Sequence, residues 1–147
     1  QIEVDGVLHD CTRILIADAY TDYAILETEP IPARKPLLFP RDFVKGPHQW
    51  KKTTGALTPL VYTGYPNTIG PVTLAGKVMG MSEDDFIYLN SYAWAGSSGS
   101  GVFDMKGKLV GYIVAIDVGH TEYGYDVLEN VILVVPNYKI DWTKLLQ

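Results

Sequence analysis

The segment most informative about the fold is Ala93–Ile116, with the sequence AWAGSSGSGVFDMKGKLVGYIVAI. Three serines lie among three glycines at its start, directly before an apolar segment. A flexible linker would continue in small polar residues. Here Val102 and Phe103 instead begin a predicted strand, and KLVGYIVAI completes a hairpin through the turn DMKGK. We therefore interpret the glycines as requirements of a sharp turn between two packed strands, because glycine adopts positive φ without steric cost.

The rest of the chain also consists of short β-type segments separated by turn residues. Most of these segments alternate or are rich in β-branched residues, and Gly, Pro, Asn or Asp stands between them. This pattern predicts an all-β sandwich or barrel, with one short helix in YKIDWTKLLQ after Pro136. The predicted strands are QIEVDGVL, RILIADA, DYAILET, PLVYTGYP, GPVTLAGKVMGM, DFIYLNSY, SGVFDM, KLVGYIVAI and ENVILVVP.

The segment from Glu29 to Pro59 interrupts the succession of strands. It contains six prolines and most of the central basic residues. We expect a long connection here, with one strand around Leu37–Phe39. A proline-rich connection between two strand-rich parts is where a boundary between two lobes would fall.

Composition excludes several classes of protein. The 147 residues are 47% apolar and 20% charged, which is ample for a packed core, and the net charge of −5 argues against a nucleic-acid partner. No run of 18 apolar residues predicts a membrane span, and the acidic, alternating QIEVDGVLHD is unlike a signal peptide. Cys11 is the single cysteine, so it forms neither an internal disulfide nor a cysteine metal cluster. We expect no metal and no cofactor.

The serine turn has the composition that a nucleophilic serine requires. In such a turn the N–H of Ser98 and the N–H of Gly96 can point into one small space and form an oxyanion hole. A side chain at Gly96 would obstruct the turn, and one at Gly99 would crowd a substrate. Many tight loops contain serine and glycine, so the remainder of the chain has to decide between a catalytic and a structural turn.

Together with its flanking segments, the serine turn resembles the nucleophile segment of trypsin-like serine proteases, especially the Deg-type and related viral or bacterial ones. YTGYPNTIGPVTLAGKVMG resembles the hairpin that opens the second barrel in that family, DAYTDYAILET its triad-aspartate segment, and ENVILVVPNYKI its closing strand and helix. The resemblance implies a chymotrypsin-like fold of two β-barrels with a truncated first barrel. Residues 1–52 would be the remainder of the first barrel with the connection, and residues 53–147 the second barrel with the nucleophile.

The resemblance also implies roles for individual residues. Ser98 would be the nucleophile, Asp22 the carboxylate that orients a histidine, and the amides of Gly96 and Ser98 the oxyanion hole. Asp22 could instead cap a turn, although it stands immediately before an apolar strand. Ser97 occupies the position of the aspartate that pairs with a new N-terminus in zymogen-activated members, so we expect no activation of that kind.

The substrate would be a polypeptide bound beside the serine turn. By resemblance, the strand Val114, Ala115 and Ile116 would pair with the substrate backbone, while Tyr92 and Ala93 would line the base and wall of the specificity pocket. Tyr92 could instead be ordinary core, and Val114–Ile116 would be a buried strand with or without such a role. The presumed pocket has no acid for Lys or Arg, which favours a small or apolar side chain at the cleavage position.

This interpretation lacks a general-base histidine at the expected distance before Asp22. His9 precedes Asp22 by 13 residues, which hardly accommodates the strands that separate histidine from aspartate in the family. QIEVDGVLHDCTRILIADA instead resembles the two strands that follow the family's histidine, which would then lie upstream of Gln1. Three accounts remain open: the histidine is supplied by a segment outside this chain, the domain has lost its activity, or His48 or His120 substitutes.

Two functions follow from these accounts. The first is a serine endopeptidase that forms an acyl-enzyme on Ser98, with the histidine supplied from outside this chain. The second is a catalytically inactive domain of the same fold, used for peptide binding or assembly. For the endopeptidase, a preference for acidic substrate residues that His120 would recognise also remains open.

Overall fold

The computed structural model describes residues 1–39 and 41–145, except for the side chains at positions 68, 117, 118 and 120. The chain divides into two compact units. Unit 1 consists of Gln1–Leu37 and Ile140–Gln147, and unit 2 of Leu38–Lys139.

Unit 1 contains two separate antiparallel strand pairs, each of which is a two-stranded sheet. Strand β1 (Ile2–Val4) pairs with β2 (Val7–His9), and β3 (Cys11–Asp18) pairs with β4 (Tyr23–Thr28). The β3–β4 register places Ile14 opposite Leu26. A 3₁₀ helix at Trp142–Leu145 packs on β3.

Unit 2 begins with one helix, α1 (Gly46–Thr53), and continues into six strands that close into a barrel. Short 3₁₀ turns at Pro66–Thr68 and Asn137–Lys139 follow the first and the last of these strands. The order of the strands around the barrel is β10-β7-β6-β5-β8-β9. The strands are β5 (Pro59–Gly64), β6 (Val72–Met81), β7 (Ile87–Asn90), β8 (Gly101–Asp104), β9 (Leu109–Thr121) and β10 (Gly124–Pro136).

The barrel interior is the hydrophobic core of unit 2. Alternating strand residues point inward, and α1 adds Trp50, whose side chain is fully buried. Close packing requires glycine at position 111, because a Cβ there would stand 2.1 Å from the carbonyl oxygen of Val135 on β10. The fully buried apolar side chains of the strands are Leu60, Tyr62, Val78, Ile87, Leu89, Val102, Val110, Ile113, Ile132, Val134 and Val135.

The all-β architecture predicted from the sequence is confirmed, and three local predictions are corrected. Leu37–Phe39 forms no strand, and α1 lies inside the segment expected to be a connection. The sequence of α1 lacks the 3.6-residue apolar period that identifies a helix, and Trp50 is its one buried side chain. The expected C-terminal helix consists of the two short 3₁₀ turns at Asn137–Lys139 and Trp142–Leu145.

Among the described residues, no helix is long and apolar enough to cross a membrane.

Candidate active site

The serine turn lies between β7 and β8 of unit 2 and is bounded by two glycines in the left-handed region. Gly96 has φ +94° and Gly99 has φ +83°, values that a residue with a side chain rarely adopts. A Cβ at Gly96 would stand 2.5 Å from the carbonyl oxygen of Tyr65. The turn therefore requires glycine at Gly96 for two reasons, conformation and close backbone approach.

Alternate backbone amides of the turn are hydrogen-bonded into the protein. The N–H of Ser97 donates to the carbonyl of Trp94 (2.9 Å), and the N–H of Gly99 donates to the carbonyl of Ile113 on β9 (2.7 Å). The Ser97 side chain is buried, and its Oγ accepts from the N–H of Trp94 (3.3 Å). The N–H of Ser100 donates in turn to the Ser97 carbonyl (3.2 Å). These bonds determine the path of the backbone on both sides of Ser98.

The intervening amides have no such partner. In the described part of the chain, neither the Gly96 N–H nor the Ser98 N–H donates to a backbone oxygen. Ser98 is exposed, and its hydroxyl donates to the carbonyl oxygen of Val114 (3.2 Å). An exposed hydroxyl flanked by two available N–H donors is an arrangement that can stabilise an anion forming next to the hydroxyl.

Tyr62 supports the segment that leads into the turn, and the sequence analysis missed this role. It lies on β5, is 1% exposed, and its hydroxyl donates to the carbonyl oxygen of Tyr92. Burial raises the pKa of Tyr62, partly offset by a hydrogen bond with Ser97, so the phenol stays neutral and able to donate. No local signal identifies this contact, because Tyr62 has the same alternating pattern as any core strand residue.

The two predicted pocket residues differ in their environment. Tyr92 is 57% exposed and its ring stacks on that of Trp94, with centroids 5.9 Å apart. Ala93 is buried in the barrel core, and its N–H donates to the carbonyl of Glu129 (3.4 Å). The aromatic pair Tyr92–Trp94 thus forms an exposed apolar surface directly before the serine turn.

The predicted substrate-pairing strand is the part of β9 that runs past Ser98. Ile113 pairs with Val134 and Ala115 with Leu133, so Val114 is an extra residue in a β-bulge. The bulge turns the Val114 carbonyl toward Ser98 rather than toward β10. Ala115 is exposed and Ile116 is half-buried.

In unit 1, Asp22 follows a turn that is stabilised by the carboxylate of a different aspartate, Asp18. The Asp18 carboxylate accepts from the N–H groups of Tyr20 (2.8 Å) and Thr21 (3.1 Å), which lower the pKa of Asp18. Asp22 has φ +52°, is exposed, and stands at the start of β4 as predicted from the sequence. Of the two carboxylates, Asp18 is engaged in the turn and Asp22 faces solvent.

Comparison with known proteins places these features in a family. The family model described as "Trypsin-like peptidase domain" matches residues 3–111, which is most of the chain. The chain belongs to the trypsin-like peptidase family. The barrel of unit 2 and the incomplete strand pairs of unit 1 are a truncated chymotrypsin-like fold, as predicted.

Solved structures of proteases share the fold of this trypsin-like domain. An HtrA-type protease AlgW with decapeptide matches over 90% of this chain (TM-score 0.65, 18% identity), and the serine endoprotease from Yersinia pestis over 97% (TM-score 0.64, 18% identity). The active form of a protease from M. tuberculosis matches over 92% (TM-score 0.63, 17% identity). The matches cover 39%, 44% and 57% of those chains, so this chain spans less than two thirds of each. No curated protein shows a significant sequence match.

The histidines of this trypsin-like domain are distributed over both units. In unit 1, the Nδ1 of His9 lies 3.2 Å from the Glu29 carboxylate, which engages that imidazole. In unit 2, His48 is exposed in the first turn of α1. His120 belongs to β9, and its side chain lies outside the described residues. Within the described part of the chain, no group of three or more His, Cys, Asp or Glu side chains is placed to hold a metal ion.

Proposed function

We propose that this domain is a serine endopeptidase, in which Ser98 is the nucleophile and the Gly96 and Ser98 amides form the oxyanion hole. Asp22 orients a general-base histidine that is supplied from outside this chain. The observation that carries the proposal is the alternation of amides in the serine turn. Those of Ser97 and Gly99 are bonded inward, while those of Gly96 and Ser98 remain available beside an exposed hydroxyl.

In this mechanism a polypeptide lies beside Val114–Ile116, with its side chain at the cleavage position against Tyr92 and Ala93. The Ser98 oxygen attacks the carbonyl carbon of the scissile bond while its proton passes to the histidine. The N–H donors of Gly96 and Ser98 stabilise the oxyanion. The histidine then protonates the leaving amine, and water hydrolyses the acyl-enzyme by the reverse sequence of proton transfers.

A histidine supplied by another polypeptide segment is supported by the surface of unit 1. The opposed side chains of Ile14 and Leu26 on β3 and β4 are 67% and 41% exposed. Val7 and Leu8 on β2 are 56% and 59% exposed. The opposed pair of exposed aliphatic side chains on the β3–β4 sheet is typical of a surface that another segment covers. We propose that the segment carrying the histidine packs on this pair.

The proposal is tested by labelling Ser98 with a fluorophosphonate, which reacts with activated serines. Because the base is external, labelling of the 147-residue chain is measured with and without free imidazole as a substitute base. We expect labelling that increases with imidazole, disappears in Ser98→Ala and persists in Ser100→Ala, the matched serine of the same turn. Folded protein that stays unlabelled under both conditions would contradict the assignment of Ser98.

The second candidate is an inactive peptide-binding module of the same fold. It is favoured by one observation: the Ser98 hydroxyl donates to the Val114 carbonyl instead of to a base. Such a module would bind extended peptides at the free edge of β9 by β-augmentation, without turnover. Peptide binding that is unchanged in Ser98→Ala, together with absent labelling, is the expected result for this function.

A further inference from the structure

The outer part of the β9–β10 hairpin is a two-stranded ribbon, comprising residues 117–129. Its register runs from Asp117 opposite Leu128 to Thr121 opposite Gly124. A register shift between Leu128 and Ile132 separates it from the barrel. In the described residues, β8 pairs with β9 only up to Tyr112, and β7 pairs with β10 only from Val131 onward. The outer edge of β9 in the ribbon therefore lacks a described neighbouring strand, and the backbone of the β10 edge is bonded to another described segment only at Glu129, which accepts from the Ala93 N–H.

The free edge of β9 is continuous with the serine turn. The Val114 carbonyl points away from β10, because it accepts the Ser98 hydroxyl. Backbone groups alternate in direction along a strand, so the N–H and C=O groups of Ile116, Val118 and His120 face the same free edge. From Val114 to Thr121 this edge is about 23 Å long at 3.3 Å per residue. An unpaired edge of this length is a template for an added strand.

The outer edge of β9 lacks two of the features that commonly prevent strand addition, lysine and proline. The segment 114–121 contains no lysine, arginine or proline, and no described strand pairs with its outer edge.

The ribbon is acidic and aromatic. Residues 117–129 include four acids and no lysine or arginine, which accounts for most of the net charge of −5. Glu122 and Asp126 are exposed, and Tyr123 and Tyr125 are 98% and 72% exposed at the tip. Carboxylates attract lysine and arginine, and the exposed ring of Tyr123 can bind the same cations through its face. The charge and this ring therefore favour a basic partner.

We propose that the ribbon extends the pairing proposed above for Val114–Ile116: its free β9 edge and its acidic tip bind a basic segment of the polypeptide substrate, added as a strand to that edge. The position of the scissile bond at Ser98 rests on the function proposed above. Antiparallel pairing is the more stable arrangement, and β9 runs from the serine turn toward the ribbon tip. The peptide then runs from the tip toward Ser98, so its basic residues lie on the N-terminal side of the scissile bond.

The charge part of the proposal is tested with the Ser98→Ala chain, in which turnover is prevented, by fluorescence anisotropy. The probe is a labelled extended peptide with arginine at alternate positions, compared with the same peptide carrying glutamate. We expect the arginine peptide to bind at least about tenfold more tightly, with an advantage that shrinks as salt rises. Charge reversal in Glu122→Lys/Asp126→Lys should weaken its binding about tenfold. The matched control Glu83→Lys/Asp84→Lys, in the β6–β7 turn, should change it less than about twofold. Equal affinities of the two peptides, or equal losses in the two double variants, would overturn the proposal.

The edge-pairing part is tested with the arginine peptide N-methylated at alternate residues, in two sets offset by one position. In an added strand only one set of N–H groups faces β9. We expect one methylated peptide to lose at least about tenfold in affinity and the other to bind like the parent. Equal behaviour of the two sets would contradict strand addition.

The two proposals fail in different ways. If Ser98 is not labelled but the arginine peptide binds in a ribbon-dependent manner, the endopeptidase is wrong and the ribbon site is supported. If Ser98 is labelled but binding of the arginine peptide does not depend on the ribbon charges, only the ribbon site is overturned.

Discussion

Substitution of Gly96 by alanine is the sharpest test of how the serine turn is built. The added Cβ meets two penalties, a backbone at φ +94° and a contact of 2.5 Å with the carbonyl oxygen of Tyr65. The strained backbone costs about 1–2 kcal/mol. The contact adds about 1–3 kcal/mol, because the opposing atom is backbone and cannot move away as a flexible side chain would. The N–H of Asn67 donates to the Ala95 carbonyl at 2.7 Å, which holds the two loops together.

Two other glycines separate these penalties. Gly99 and Gly107 have φ +83° and +76°, and a Cβ at either position has no heavy atom within 4 Å. Gly99→Ala and Gly107→Ala therefore incur only the conformational cost, about 1–2 kcal/mol. Gly96→Ala should destabilise the domain by about 2–5 kcal/mol, more than either control.

The free energy of unfolding of each variant is measured by urea denaturation, followed by near-UV circular dichroism, to which the fully buried Trp50 of unit 2 contributes. Labelling by fluorophosphonate in imidazole should fall in Gly96→Ala even where the protein is folded, because the oxyanion amide shifts with the loop. A stability of Gly96→Ala within about 0.5 kcal/mol of Gly107→Ala would refute the argument that the close approach to Tyr65 shapes the turn.

Two further predictions concern the barrel. Gly111→Ala should cost about 3 kcal/mol or more in the free energy of unfolding, because its Cβ would stand 2.1 Å from the Val135 carbonyl oxygen. Gly119→Ala, whose nearest atom is at 3.5 Å, should change it by less than about 1 kcal/mol in the same urea titration. Burial, with the nearby Asp85 carboxylate that its hydroxyl contacts, raises the pKa of Tyr138 to about 12 from 10.0. The protonated phenol is favoured in the folded state, so its stabilising contribution is complete below pH 10 and is lost as pH rises toward 12. In Tyr138→Phe the free energy of unfolding should therefore fall less between pH 10 and about pH 12 than in the parent chain. An equal fall in the two proteins would contradict the assignment of this pH dependence to Tyr138.

The serine turn shows how much of the structure local sequence patterns can predict. The glycines, the three serines and the apolar segments on either side are local features, and they predicted a turn between two strands. The position of Asp22 before β4 was predictable in the same way, because a short alternating segment after a turn residue identifies a strand. Helix α1 was not predictable, since its stability comes from burial of Trp50 rather than from a periodic apolar face.

Local sequence patterns therefore predicted the β-rich fold and the position of the serine turn in the chain. Which amides of that turn are free depends on tertiary contacts. Ser97 and Gly99 donate to Trp94 and to Ile113 on β9, and Gly96 takes its conformation against the loop that follows β5. The direction of an N–H group depends on φ and ψ, which in this turn are set by contacts with strands distant in the chain. Such contacts are absent from the local pattern, and they leave the Gly96 and Ser98 amides available beside the Ser98 hydroxyl.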